Sequence, residues 1–455
     1  MNKRLWIAQV VLGLMGSGLA MAAGDLSDTL LAPAPGACQQ PANCQPAQNC
    51  SNEQPACAVQ EACGGAKEEC QSDEACGEES GEKKCRWCCC GKLGDPWKLP
   101  EPCFVKEAGF DVSGWVQSGI LTNSHGAGSN GPLGFNNLTD FNLHQGWIYA
   151  ERKTDTEKNC FDWGGRVDYV FGVDGPDTQA FGDQSWDYGW NSSSRYGSAI
   201  PQLYLDLAYG DWSIRGGHFY TPMGYEVVPA PTNFFYSHSY EMYYAECFTH
   251  TGFVVTRKVN DKLTVSGGWV DGWDSGFENR NNASNFLGGA TLTFSEKASL
   301  GWVLTAGDWG DGTVANTGDI YMNSFVFTYK PNDKWTYVFQ HDLGSNTNNP
   351  NGDAQWYGIG QYLIRKINDC WSAGGRLEWF SDEDGVRVVP GNAGSYFEAT
   401  VGLNYKPHAN LVLRPELRWD WYDGDVAFPA LVNHPFNDGR SDSQFAGGFD
   451  MILTF

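Results

Sequence analysis

Phe161-Asp162-Trp163-Gly164-Gly165-Arg166-Val167-Asp168-Tyr169-Val170-Phe171-Gly172-Val173 alternates over thirteen residues. One row reads Phe, Trp, Gly, Val, Tyr, Phe, Val; the other includes Asp162, Arg166 and Asp168. Successive side chains of a strand point to opposite faces, so period two predicts a strand apolar on one face and charged on the other. The pattern recurs at Leu203, Leu205, Leu207 and Tyr209, and at Phe397, Ala399, Val401, Leu403 and Tyr405. It recurs again at Leu411, Leu413, Pro415, Leu417, Trp419 and Trp421, where Pro415 is an imperfection in a paired strand.

Working outward, such rows predict sixteen strands. They start near 109, 140, 160, 200, 212, 247, 262, 285, 297, 319, 334, 355, 370, 395, 410 and 443. Fourteen or eighteen strands remain alternatives. Residues 108–455 allow about 22 per strand with its connection, which suits strands of about 10 residues crossing a bilayer at a tilt. The connections alternate in length. Short turns include Val259-Asn260-Asp261-Lys262, Lys330-Pro331-Asn332-Asp333-Lys334 and Ile367-Asn368-Asp369-Cys370, with a shared Asn-Asp theme. Long polar loops lie near 123–139, 174–198, 222–246, 272–284, 307–318, 343–353, 381–394 and 423–442. Short turns alternating with long outer loops mark a transmembrane β-barrel, whereas a propeller repeats in fours.

Aromatic placement points the same way. Tyr149, Trp163, Tyr209, Trp212, Phe294, Tyr329, Trp335, Trp371 and Tyr405 sit beside short turns, which predicts a girdle at one membrane interface. The last row is Phe445, Gly447, Phe449, Met451, Leu453 and Phe455. An alternating strand ending in Phe resembles the assembly signal of outer-membrane barrels, with Phe455 as its key residue.

Composition excludes other classes. The 455 residues carry 30 Lys+Arg against 54 Asp+Glu, a net charge of -24, which opposes nucleic-acid binding. Aromatics at 14% oppose a disordered acidic chain. Beyond the first two dozen residues no apolar run reaches the length of a membrane helix.

Residues 1–22 read as a secretory signal: Lys3 and Arg4, an apolar stretch Leu5–Leu19, then Ala20-Met21-Ala22. Twelve of the 15 cysteines follow between Cys38 and Cys103, in a segment spanning 23–104. Cys38, Cys44, Cys50, Cys57, Cys63, Cys70 and Cys76 recur every 6 or 7 residues, and Cys85 and Cys88 lead a cluster. The Gln, Pro, Ala, Glu and Gly between them cannot build a core, so the segment is expected disordered or disulfide-stapled. Export favours disulfides or cross-links over a metal, because zinc sites need well-spaced pairs. The pairing stays open.

Gly217-His218-Phe219-Tyr220-Thr221-Pro222-Met223-Gly224-Tyr225-Glu226, then Asn233-Phe234-Phe235-Tyr236-Ser237 and Glu246-Cys247-Phe248-Thr249-His250-Thr251-Gly252, carry a family resemblance. Over about 105–455 the chain resembles the OmpL-like putative β-barrel porin family (porin-2 type). The resemblance implies an outer-membrane channel for small solutes. Cys247 departs from the pattern.

With the apolar row toward lipid, the alternate row places Arg166, Asp168, Asp206, Arg215, Arg376, Glu378, Arg414, Glu416, Arg418 and Asp420 in the lumen. These charges suit either solute selection or ion pairing along the wall. The third long loop holds seven Phe or Tyr residues with Glu226, Glu241 and Glu246 and no Lys or Arg. Folding it inward buries the rings and makes Glu226, Glu241, Glu246 and Tyr236 a constriction. Glu226 and Glu241 are then expected to favour cations. A rim loop in a subunit contact is the alternative.

The acidic outer stretches, such as Asp308-Trp309-Gly310-Asp311-Gly312, do not match a Ca²⁺ loop. No catalytic motif, metal site or cofactor is expected. The function expected is passive diffusion of ions and small polar solutes through the outer membrane. A structural anchor cross-linked to the wall or to other chains is the alternative, and a barrel enzyme comes third. The partners expected are outer-membrane lipid, the barrel assembly machinery, sister copies, and cell-wall or disulfide partners, with no nucleic acid.

Overall fold

The computed structural model describes residues 93–100, 102–157, 159–180, 186–190, 195–278, 282–310, 318–350, 352–424 and 434–455. The expected signal at 1–22 and the cysteines from Cys38 to Cys90 lie outside them. Among the described residues, sixteen strands follow one another: β1 (Asp111–Asn123), β2 (Asn142–Arg152), β3 (Phe161–Gly172), β4 (Gly197–Tyr209), β5 (Trp212–Tyr220) and β6 (Thr249–Asn260). Next come β7 (Leu263–Asp271), β8 (Asn285–Ser295), β9 (Ala298–Asp308), β10 (Asp319–Asn332) and β11 (Trp335–Thr347). The last are β12 (Ala354–Lys366), β13 (Trp371–Asp382), β14 (Gly394–His408), β15 (Leu411–Gly424) and β16 (Ser443–Thr454). Every start falls within three residues of its expected position.

Each strand pairs antiparallel with its neighbours in sequence, and β1 pairs with β16 to close the barrel. Closure sets Trp115 opposite Thr454 and Asn123 opposite Ala446. At the end of the seam, Gly114 N donates to Phe455 O (3.0 Å) and Phe455 N donates to Gly114 O (2.9 Å). No strand keeps an unpaired edge, which a lipid-embedded sheet requires.

The outer surface is apolar because the period-two rows face out. Leu205, Val401, Leu417, Trp419 and Phe449 are exposed, while Asp168, Glu398, Arg418 and Asp450 on alternate positions are buried. Val173 leaves its row: β3 ends at Gly172 and Val173 is buried.

The short turns show why Asn-Asp repeats. Asn260, Asn332 and Asn368 each accept, on the side-chain oxygen, the amide two residues on, at 2.8, 3.0 and 2.9 Å. This is the Asx-turn chemistry of a tight reversal. Lys258–Asp261 and Lys366–Asp369 add ion pairs at 2.8 Å. Trp163, Tyr209, Trp212 and Phe294 face outward near these turns, and Trp371 stacks on Tyr405 (4.3 Å). Arg152, Arg257 and Arg365 lie over Trp163, Trp212 and Trp335.

Tyr149 does not belong to this girdle. It packs against an inner cluster, 6.2 Å from Trp115, with Arg166 over its ring (4.0 Å). The outward position on β2 is Ile148, so an aromatic beside a short turn does not by itself fix the strand's phase.

Candidate functional site

The loop from 221 to 248 joins β5 to β6 and enters the barrel. Phe235, Tyr236 and Tyr240 are buried. A short turn of helix, Glu241–Ala245, faces β11 and β12. Apolar rings leave water by moving inward, but the backbone that carries them then needs partners. The wall supplies them as charges.

On the β13–β16 side the loop is clamped by three arginines. Arg376 reaches Glu226 (Nη1–Oε1, 2.5 Å), Glu398 (2.6 Å) and the Ser237 carbonyl (2.8 Å). Arg414 is bidentate on Asp450 (2.9 and 2.6 Å) and donates to the Asn233 carbonyl (2.7 Å). Arg418 donates to Asp420 (2.8 Å) and the His238 carbonyl (2.5 Å). Two carboxylates do the complementary work. Glu416 accepts the amides of Tyr236 (2.8 Å) and Ser237 (3.1 Å), and Glu378 those of Tyr240 (2.7 Å) and Glu241 (2.5 Å). Charge-assisted bonds of this kind are about twice as strong as neutral ones.

On the β2 side, Gln145 receives the Ala230 amide (3.1 Å) and donates to the Val228 carbonyl (2.8 Å). The Tyr236 hydroxyl meets His144 Nε2 at 2.6 Å, and His144 Nδ1 meets Asp174 at 2.8 Å.

The sequence-predicted constriction residues therefore differ in charge state. Burial opposes the charge on Glu226, but Arg376, His238 and the Ser239 amide outweigh it and hold that carboxyl below its usual range. Among the described residues, Glu241 has no compensating cation. It is fully buried, and neither carboxylate oxygen has a hydrogen-bond partner among the described residues. Burial first, then the charges of Asp342, Glu378 and Glu246, push its carboxyl well above the ordinary range. Glu246 is pushed up by burial and by Asp342, while Gln340 donates to both, at 2.6 and 2.7 Å. Gly358 and Gly360 make room for Glu241: a Cβ on either would sit 2.4 Å from its side chain.

The remaining predicted lumen charges form a separate group. Arg166 pairs with Asp168 (2.6 Å), and Arg215 with Asp206 (2.8 Å) beneath Tyr204. Opposite the arginine clamp, the positions alternating with outward Trp269, Leu292 and Trp302 include the small Thr264, Ser266, Gly268, Gly289, Thr291, Ser299 and Gly301, interrupted by Val270, Leu287 and Val303. A small, mostly apolar pocket sits between this wall and the start of the loop, lined by Pro222, Met223, Gly224, Thr291, Gly301, Val303, Ser324 and Val326.

Sequence reasoning missed Gln340 and Asp342 as partners of the loop, and Glu398 and Asp450 as partners of the arginines that clamp it. It also missed a cluster at the long-loop end, where Arg387 lies among Trp273, Trp309 and Trp356. Each member sits on a different connection or strand, so no local pattern joins them. Of the described cysteines, Cys103 and Cys160 are free, and so is Cys247, which is buried with its sulfur 3.3 Å from His250.

A closed barrel of sixteen antiparallel strands, apolar outside and charged within, with its third long loop folded inside, defines an outer-membrane barrel of the porin class. The chain belongs to the family described as "Putative beta-barrel porin-2, OmpL-like", whose pattern matches residues 109–455. No curated protein matches it. Among solved structures it is similar to the anion-selective porin from Comamonas acidovorans, at 10% identity and TM-score 0.51, covering 76% of this chain and 99% of that one. The outer membrane channel DcaP of Acinetobacter baumannii is 13% identical with TM-score 0.48, over 77% of this chain and 98% of that one. OmpT of Vibrio cholerae in its trimer form is 12% identical with TM-score 0.47, over 76% and 99%.

Proposed function

We propose that this porin passes ions and small polar solutes by passive diffusion and prefers cations where the third loop narrows the lumen. The observation that carries the preference is Glu241, a buried carboxyl with no partner cation, beside Glu246 and Asp342. Glu226 contributes through structure instead, since Arg376 neutralises it. The wall arginines act as clamps, because Arg376, Arg414 and Arg418 are each matched by a carboxylate. The Gly, Ser and Thr positions across from them leave room for a path beside the loop. A similar fold belongs to an anion-selective porin, so the charge at the constriction, and not the barrel, sets the sign.

Reversal potentials across a KCl gradient test this. At pH above the raised Glu241 pKa, wild-type protein should prefer K⁺, and Glu241→Gln should reduce the preference. An unchanged reversal potential in Glu241→Gln sinks the assignment.

A second reading is an anchor whose lumen the loop closes. The full burial of Phe235, Tyr236 and Tyr240 under the arginine clamp favours it. Planar-bilayer conductance separates the two, since a closed barrel carries no current. In either reading the partners are outer-membrane lipid and the assembly machinery, reached after export by the signal at 1–22. Sister copies fit either reading, cell-wall or disulfide partners of the Cys-rich segment belong to the anchor reading, and non-reducing gels test the disulfide partners.

A further inference from the structure

Arg387 is placed unlike the arginines that clamp the loop. Its guanidinium lies 5.3 Å from the Trp273 ring, 5.3 Å from Trp309 and 4.8 Å from Trp356. Trp273 and Trp309 are stacked (5.0 Å, 11°), and Trp356 stands nearly at right angles to both (84° and 74°). The three indoles are buried at 3%, 4% and 0% exposure, and they form three sides of a box around one cation. Aromatic boxes of this kind recognise guanidinium and quaternary ammonium groups through the ring quadrupole.

Arg387 makes no ion pair among the described residues. Its Nε donates to the Tyr244 carbonyl (2.7 Å). The nearby Asp382 is spent on backbone, accepting the amides of Val386, Arg387 and Val388 at 3.0, 2.8 and 2.9 Å. That carboxylate shapes the turn that presents the side chain and does not anchor its charge. Asp274 is likewise occupied by the amides of Phe248 and Thr249. Burial lowers the Arg387 pKa against the opposing fields of Asp382 and Asp274, so no carboxylate fixes the side chain in the box.

The box also leads somewhere. Trp356 lies on the inward row of β12, and the next two positions in that row are Gly358 and Gly360, against which the Glu241 carboxyl rests. Trp356 Nε1 donates to the Ala245 carbonyl (3.2 Å), one residue before Glu246.

We infer that Trp273, Trp309 and Trp356 form a binding site for solutes bearing a guanidinium or quaternary ammonium group, and that Arg387 is its resident, displaceable occupant. This deepens the cation-preferring reading by naming the solute class, and it rests on that reading for the route onward past Glu241. An occupant lowers apparent affinity by the fraction of time the site is filled.

The test is calorimetric titration of the full-length purified protein with tetramethylammonium, with urea as the neutral control and heat-modifiable gel migration to show a folded barrel. Arg387→Ala should bind tetramethylammonium about tenfold more tightly than wild type. Adding Trp309→Leu, which keeps apolar volume but removes the ring, should abolish the gain, and Trp273→Leu in its place should do the same. Equal affinity in wild type and Arg387→Ala overturns the inference. A gain that survives both Leu substitutions also overturns it, since lost charge alone would then explain the binding. Because titration needs no current, failure here with K⁺ preference intact removes the box and leaves the channel. Binding without selective current upholds the box and removes the cation-channel reading.

Discussion

Arg376 of β13 and Glu226 of the third loop meet at 2.5 Å with side chains 0% and 3% exposed, and the same guanidinium holds Glu398 at 2.6 Å. One wall residue thus joins the loop to β14 as well as to its own strand. Breaking a buried pair from one side leaves an uncompensated charge, at about 3–5 kcal/mol. Arg376→Met should release the loop while the barrel still folds. Single-channel recordings should show larger, noisier conductance than wild type, and unchanged traces would mean the clamp does not hold the constriction.

Cation preference should depend on pH. Burial and neighbouring acids raise the Glu241 carboxyl well above its usual value, so below that raised pKa it is protonated and neutral. Its contribution to loop docking is complete below the unfolded pKa of about 4.3 and is lost as pH rises through the raised folded value. Charge, and with it K⁺ preference, grows over the same window while the loop loosens. Reversal potentials recorded over a rising pH series should move toward the cation limit in wild type and stay flatter in Glu241→Gln.

Gly358→Ala should act on the same carboxyl without touching its chemistry. The new methyl would meet the Glu241 side chain at Cγ (2.4 Å) and Cδ (2.8 Å), so the acid must leave its seat. The pH dependence should weaken in this variant while heat-modifiable migration is unchanged. Gly216, where nothing lies within 4 Å of an added Cβ, is the control position for the same change.

The strands were legible because each one repeats its own evidence every second residue. Rows such as Leu203, Leu205 and Leu207 need no partner to be read, and in the barrel they are exposed to the outside. Loop 222–246 was legible as a loop whose rings needed shelter from water, but sequence left the lumen and a subunit contact both open, and the burial of Phe235, Tyr236 and Tyr240 decides for the lumen. Its charge balance was not. Glu226 and Glu241 look alike in sequence, yet one lies on Arg376, 150 residues away, and the other on two glycines of β12. Tyr149 failed for a related reason: its neighbour Ile148 competes for the same lipid-facing position, and only the pairing of β1, β2 and β3 decides between them. The tryptophan box draws on Trp273, Trp309, Trp356 and Arg387, which no local window contains.

The lipid face should tolerate size but not charge. Val401 is 59% exposed near the middle of β14. Val401→Arg should cost about 2–4 kcal/mol at the bilayer midplane, and Val401→Leu almost nothing. Urea unfolding from lipid vesicles measures both, and equal midpoints would place this face away from lipid.

The seam between β1 and β16 has a kinetic side. Trp115 finds Thr454, the largest separation along the chain of any strand pair here, while every other pairing joins neighbours in sequence. Hairpins can zip locally and fast, but the final ladder must wait for both ends to arrive together. Until it forms, two sticky borders are open to any other extended chain. Insertion therefore has a single late, all-or-none event, and weakening the Gly114–Phe455 latch should slow the appearance of mature barrel far more than it lowers its eventual stability.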